Sequence, residues 1–188
     1  LHPVAHSFPT RRSSDLGIAL EILIAYYSFE GNTRLISKTM ARGIKGDVLE
    51  VKPVKEIKTR GFLKYMLGGS QVVMNRIPAL KPLDKDVRDY DLIFIGTPVW
   101  AGSPSPPITA FIREADFDGK ELGLFCCHEG GAGSTLEKMR LKINGAEILG
   151  EKDFYAPLKK EKERTVAEAL KWGRDIVRSA NKSPGVKV

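Results

Sequence analysis

Cysteine is nearly missing from this chain of 188 residues: there are two, Cys126 and Cys127, and they are adjacent. A disulfide framework is excluded, and so is a four-cysteine zinc site. Three histidines occur, and two of them, His2 and His6, fall in an atypical N-terminal stretch. No apolar run approaches the roughly 20 residues that a membrane-spanning helix needs. No basic stripe interleaved with aromatic residues is found, so nucleic acid is not an expected partner. What is present is 42 % hydrophobic and 28 % charged residues, with a net charge of +7. The length suits one globular domain and is short for two. A reducing, cytoplasmic location is expected, with no membrane partner.

Residues 1–16 (LHPVAHSFPTRRSSDL) show no helical or strand period and hold no apolar core of a signal peptide. Residues 6–16, HSFPTRRSSDL, resemble the conceptual translation of a common sequencing adapter. Residues 1–16 are therefore expected to be a non-native or disordered extension, residues 17–180 the domain, and residues 181–188 a flexible tail. Arg11, Arg12 and Asp15 give the extension a net +1, which leaves +6 on the remaining 172 residues.

Past that point, short apolar runs alternate with helical patterns. Strands are predicted over residues 19–27, 47–51, 90–96, 121–127 and, more weakly, 147–155. Helices are predicted over 34–44, 107–114, 134–143 and 161–180, with Trp172 read as a core residue of the last. This alternation predicts an α/β fold of three layers around a five-stranded parallel sheet, order 2-1-3-4-5. Ligands would bind at the carboxyl ends of the strands near the switch point. The connection over residues 52–89 is long, and residues 61–74 within it carry a helical spacing of Phe62, Leu63, Met66 and Leu67.

Three loops fall at that edge. Ser28-Phe29-Glu30-Gly31-Asn32-Thr33 brings small and hydroxyl residues into a helix start, chemistry that suits a single phosphate. It is neither a G-x-G-x-x-G fingerprint nor a Walker loop; the alternative is an ordinary capped turn. In residues 97–107 a Trp directly follows a buried strand in a Gly/Pro/Ser setting, where it could stack on a flat ring or pack against the next helix. The glycine-rich residues 127–134 would permit close backbone approach. Cys127 and His128 are poor partners for nucleophilic catalysis, since neighbours on a strand point to opposite faces. Lys159, Lys160, Lys162 and Arg164 alternate with glutamates and read as a solvated helix surface.

In these loops the chain resembles the flavodoxin family. Residues 27–33 are similar to its phosphate loop, residues 96–100 to its second flavin loop, and residues 127–133 stand in the place of its third. The resemblance implies non-covalent binding of FMN and electron transfer. Ser28, Gly31, Asn32, Thr33 and the Glu30 N–H would hold the phosphate, with hydroxyls and amides in place of Lys or Arg. Arg34 would point into solvent. Trp100 would stack on the flavin, Thr97 would meet ribityl or ring atoms, and Pro98 and Val99 complete that loop. The Ala101 and Gly102 backbone would face the flavin N5, while His128, Glu129 and Gly130 would approach the pyrimidine edge. No catalytic residue of the chain's own and no metal is expected.

Two departures shape the functional reading. The third loop has no Tyr or Trp, so the second flavin face is open or is covered by His128 or by Phe62, Tyr65 and Met66. The chain is also basic, whereas many flavodoxins are strongly acidic for docking. The leading expectation is an electron carrier between redox proteins, monomeric or weakly dimeric. The alternative is an FMN-dependent NAD(P)H–quinone or related reductase acting on a small-molecule acceptor. A third class, a flavin-free signalling domain, would want carboxylates after the first strand, and Ala25, Tyr26 and Tyr27 supply none.

Overall fold

Residues 20–55 and 77–181 are described in the computed structural model. The expected extension over residues 1–16, the helical spacing over 61–74 and nearly all of the tail over 181–188 lie outside the described residues.

Five strands form: the inner β1 (Ile22–Tyr26), β3 (Leu92–Trp100) and β5 (Glu121–His128), where apolar residues run nearly unbroken, and the outer β2 (Asp47–Glu50) and β6 (Glu147–Tyr155), which mix apolar with charged residues. A two-residue piece, β4 (Ser103–Pro104), folds back antiparallel on the end of β3. The helices are α1 (Asn32–Ile44), α2 (Pro106–Glu114), α3 (Thr135–Arg140) and α4 (Lys162–Ala180). The sheet order is β2-β1-β3-β5-β6 with every neighbouring pair parallel. This is the expected topology with β4 as its one addition.

Strand alternation divides the core into two layers. Leu23, Ala25, Ile93, Ile95, Leu122 and Leu124 face one way and pack with Ile108 and Phe111 of α2 and Met139 of α3. Ile22, Ile24, Leu92, Phe94 and Phe125 face the other and pack with Ile36 and Met40 of α1 and Ala169 and Ile176 of α4. Trp172 meets Phe94, Phe125 and Phe154 edge to face, as a core residue would. Each inner strand is thus apolar on both faces, which is the signature of a parallel sheet covered by helices.

One boundary differs from expectation in a way that matters. Residues 97–100 are strand, not loop, because β5 runs beside β3 as far as the Pro98↔Cys127 pair. A proline is tolerated there for a clear reason. The Gly96 carbonyl accepts from the Tyr27 N–H, so by alternation the Pro98 nitrogen also faces β1. Pairing with β1 has already ended at Tyr26↔Gly96, so the missing N–H costs no ladder bond.

Candidate functional site

Parallel β1, β3 and β5 end at the same edge, and residues in or just after those ends enclose one cleft. Ser28, Phe29, Glu30, Asn32 and Thr33 come from the first, Pro98, Val99 and Trp100 from the second, and Cys127, His128 and Glu129 from the third. The cleft encloses about 120 Å³, well below the roughly 300–1,000 Å³ of an engulfing pocket. A ligand there would keep part of its surface in water. Gly31, Thr97, Ala101, Gly102 and Gly130 were expected beside these residues, and they do not line it.

The first loop is an anion cradle. Gly31 turns the chain at φ 99°, a conformation that favours glycine. Its N–H donates to the Ser28 hydroxyl at 3.2 Å, which fixes the turn into α1. No side chain caps α1 among the described residues, and its first turn carries no acidic residue. The opening N–H groups of a helix have no acceptor within the helix, and its dipole is positive at that end. The buried Thr33 hydroxyl lies beside the Cys127 thiol at the same helix start. Donors gathered in this way favour a bound phosphate. Arg34 reaches solvent as expected, with 43 % of its side chain exposed. Its guanidinium pairs with Glu50 on β2, and the hydrogen bond to that carboxylate raises its pKa.

The second segment carries the aromatic wall. Trp100 is only 8 % exposed. It meets Tyr27 at 6.1 Å between ring centroids and Phe29 at 5.9 Å, both edge to face. Phe29 has no role assigned from the sequence; the signal for it is an aromatic inside an otherwise small and polar loop. Thr97 is turned away from the cleft. It is fully buried, and its hydroxyl accepts from the Ser105 N–H at 2.9 Å, anchoring the start of α2. The Thr97 hydroxyl is thus engaged by α2 in this structure.

Ala101 and Gly102, with φ 48° and 67°, make a tight two-residue turn between β3 and β4. The Gly102 carbonyl accepts from Lys138 Nζ at 3.1 Å, and the same ammonium reaches Ser103 Oγ at 2.6 Å. The turn is held from the α3 side, behind the cleft.

In the third segment the His128 side chain is 9 % exposed; its Nε2 lies 2.9 Å from Asp153 Oδ2 and its ring leans on Tyr155. Its Nδ1 is buried without a hydrogen-bond partner among the described residues. Glu129 accepts from Lys159 Nζ at 2.8 Å and lies 3.5 Å from Asn32 Nδ2. Lys159 is thus in the turn before α4 and beside the cleft, not on a helix surface. Both cysteines are buried, and burial raises their thiols, Cys126 to about 12 and Cys127 further. They are protonated at neutral pH, so neither is an activated nucleophile. Among the described residues no group of three or more His, Cys, Asp or Glu could hold a metal, and no helix is long and apolar enough to cross a membrane.

A family model described as Flavodoxin matches residues 21–165. A structure of a candidate flavoprotein from Bacteroides eggerthii shares 22 % identity at a TM-score of 0.67, over 82 % of this chain and 98 % of that one. A flavoprotein from Lactobacillus acidophilus, solved in complex with FMN, shares 24 % identity at a TM-score of 0.60, over 76 % and 99 %. A flavodoxin, WrbA-like protein from Agrobacterium tumefaciens shares 15 % at 0.58, over 87 % and 98 %. No curated protein matches the sequence. At these identities the structural likeness establishes the fold.

Proposed function

The chain belongs to the flavodoxin family, and we propose that its cleft binds FMN and that the bound flavin passes electrons between redox partners. The observation that carries this reading is the meeting of an uncapped helix N-terminus and an aromatic wall at one sheet edge. The first suits a phosphate and the second a flat ring. The structure of the Lactobacillus acidophilus flavoprotein with FMN supports the choice of flavin.

Bound FMN would supply the redox chemistry itself. The chain's residues bind and orient. Ser28 shapes the turn, the N–H groups of Asn32 and Thr33 with the Thr33 hydroxyl would hold the phosphate, and Trp100 with Phe29 would wall the ring. The buried thiols of Cys126 and Cys127 stay protonated and take no part.

The test is direct. Protein purified without added flavin, or reconstituted with FMN, is expected to be yellow with bound-flavin absorption. A colourless protein that leaves added FMN fluorescence unquenched would refute the proposal. A second reading, an FMN-dependent NAD(P)H–quinone reductase, is favoured by the third segment, whose His128 turns toward Asp153 and Tyr155. Quinone reduction by NAD(P)H with no added reductase protein would establish that reading over the carrier.

A further inference from the structure

The turn over residues 156–160, between β6 and α4, touches the phosphate loop at Asn32 and Gly31 and the third segment at Glu129. The Leu158 N–H donates to Asn32 Oδ1 at 2.9 Å. The Leu158 side chain fills the space above Gly31, where a Cβ would come within 3.2 Å of its Cδ1. Lys159 reaches Glu129 at 2.8 Å, and that carboxylate in turn lies 3.5 Å from Asn32 Nδ2. The turn is bounded by Ala156 and Glu161, non-glycine residues at φ 41°, a conformation that costs such residues energy and is retained where the surroundings enforce it.

The charge balance here is unusual. Glu30 lines the cleft and Glu129 faces it, so a phosphate dianion arriving at α1 would meet two carboxylates. Lys159 is a cation bonded to one of them, and both Glu129 and Glu30 favour its charged form. Its bond to Glu129 is exposed at both ends, 63 % and 39 %, and exposed pairs hold with at most about 1 kcal/mol. A phosphate carries nearly twice the charge of a carboxylate, so exchanging one partner for the other is downhill for the ammonium.

We propose that residues 156–160 form a fourth segment of the site and that Lys159 leaves Glu129 to bind the 5′-phosphate of the flavin. The inference rests on the FMN reading above and departs from the expectation that hydroxyls and amides alone neutralise the phosphate. It makes the site selective for phosphorylated flavin over riboflavin by charge.

The experiment compares dissociation constants for FMN and riboflavin, by quenching of flavin fluorescence, in wild-type protein, Lys159→Gln and Lys159→Arg. Lys159→Gln is expected to weaken FMN binding about tenfold and to leave riboflavin binding within twofold of wild type, which also shows that the variant is folded. Lys159→Arg should keep FMN affinity within threefold. The slope of log Kd for FMN against log salt should be shallower in Lys159→Gln than in wild type. Equal loss for both flavins, or no loss for FMN, overturns this inference and leaves the FMN reading standing. Wild-type protein that binds neither flavin overturns both.

Discussion

Gly102 and Gly133 pack backbone against backbone: a Cβ built on Gly133 would lie 2.7 Å from the Gly102 Cα. The contact joins the β3–β4 turn to the segment after β5, and Gly133 itself has φ 55°. Alanine at 133 therefore meets both a clash with main chain and a disfavoured backbone. Gly133→Ala is expected to lower unfolding stability by about 2 kcal/mol. Gly130 is the control, because a Cβ added there would meet nothing within 4 Å. Gly130→Ala should change stability by under about 0.5 kcal/mol. Urea unfolding of both variants checks the pair.

Thr97 and Ser105 form the joint between β3 and α2. Thr97→Val removes the oxygen that accepts from the Ser105 N–H and leaves that buried donor without its partner. A loss of about 1–3 kcal/mol is expected. Because Thr97 faces away from the cleft, FMN affinity measured well below the unfolding transition should stay close to wild type. A large selective loss of affinity would return Thr97 to the binding site.

Trp100 serves both the core and the cleft. It closes the aromatic cluster with Tyr27 and Phe29, so Trp100→Ala should cost about 3–5 kcal/mol of stability. It should also weaken FMN binding. Trp100→Phe keeps an apolar ring, and should recover most of the stability with part of the affinity. Fluorescence titration beside thermal unfolding separates the two effects.

The topology was legible from sequence because parallel strands covered on both faces must be continuously apolar, and the first loop stood out by its Ser-x-x-Gly-Asn-Thr entry into a helix. What stayed hidden depends on placement across the sheet. The run from Thr97 to Trp100 reads as a loop because of Pro98, and is strand because β5 and β4 pair with it where β1 has already stopped. Thr97 looks like a site residue from its position in the motif, and strand alternation turns it toward α2. Arg34 is solvent-exposed as its place next to the loop suggests, but its pairing with Glu50 on the neighbouring strand has no local signal. Lys159 lies thirty positions beyond Glu129, and no local spacing signals that they meet.

Acid should loosen the β2 edge. The Tyr90 hydroxyl, at 2.7 Å, and the Lys85 ammonium hold the Asp47 carboxyl below its usual range. A carboxyl with a depressed folded pKa stabilises the protein fully above its unfolded value of about 3.9, and that contribution is lost as pH falls through the folded value. Urea midpoints should therefore drop below about pH 4. Asp47→Asn should flatten part of that drop while leaving the pH 7 to pH 5 interval unchanged.

Ser28 and His128 face the same cleft from positions one hundred residues apart in the sequence. Any ligand held between them recognises a surface that exists only once β1, β3 and β5 have all been laid side by side. Binding is then linked to completion of the sheet, and the ligand behaves as a reversible staple across the chain. At a free concentration one hundred times its Kd, such a ligand adds about 2.7 kcal/mol to the folded state. Unfolding midpoints should therefore rise with the concentration of such a ligand.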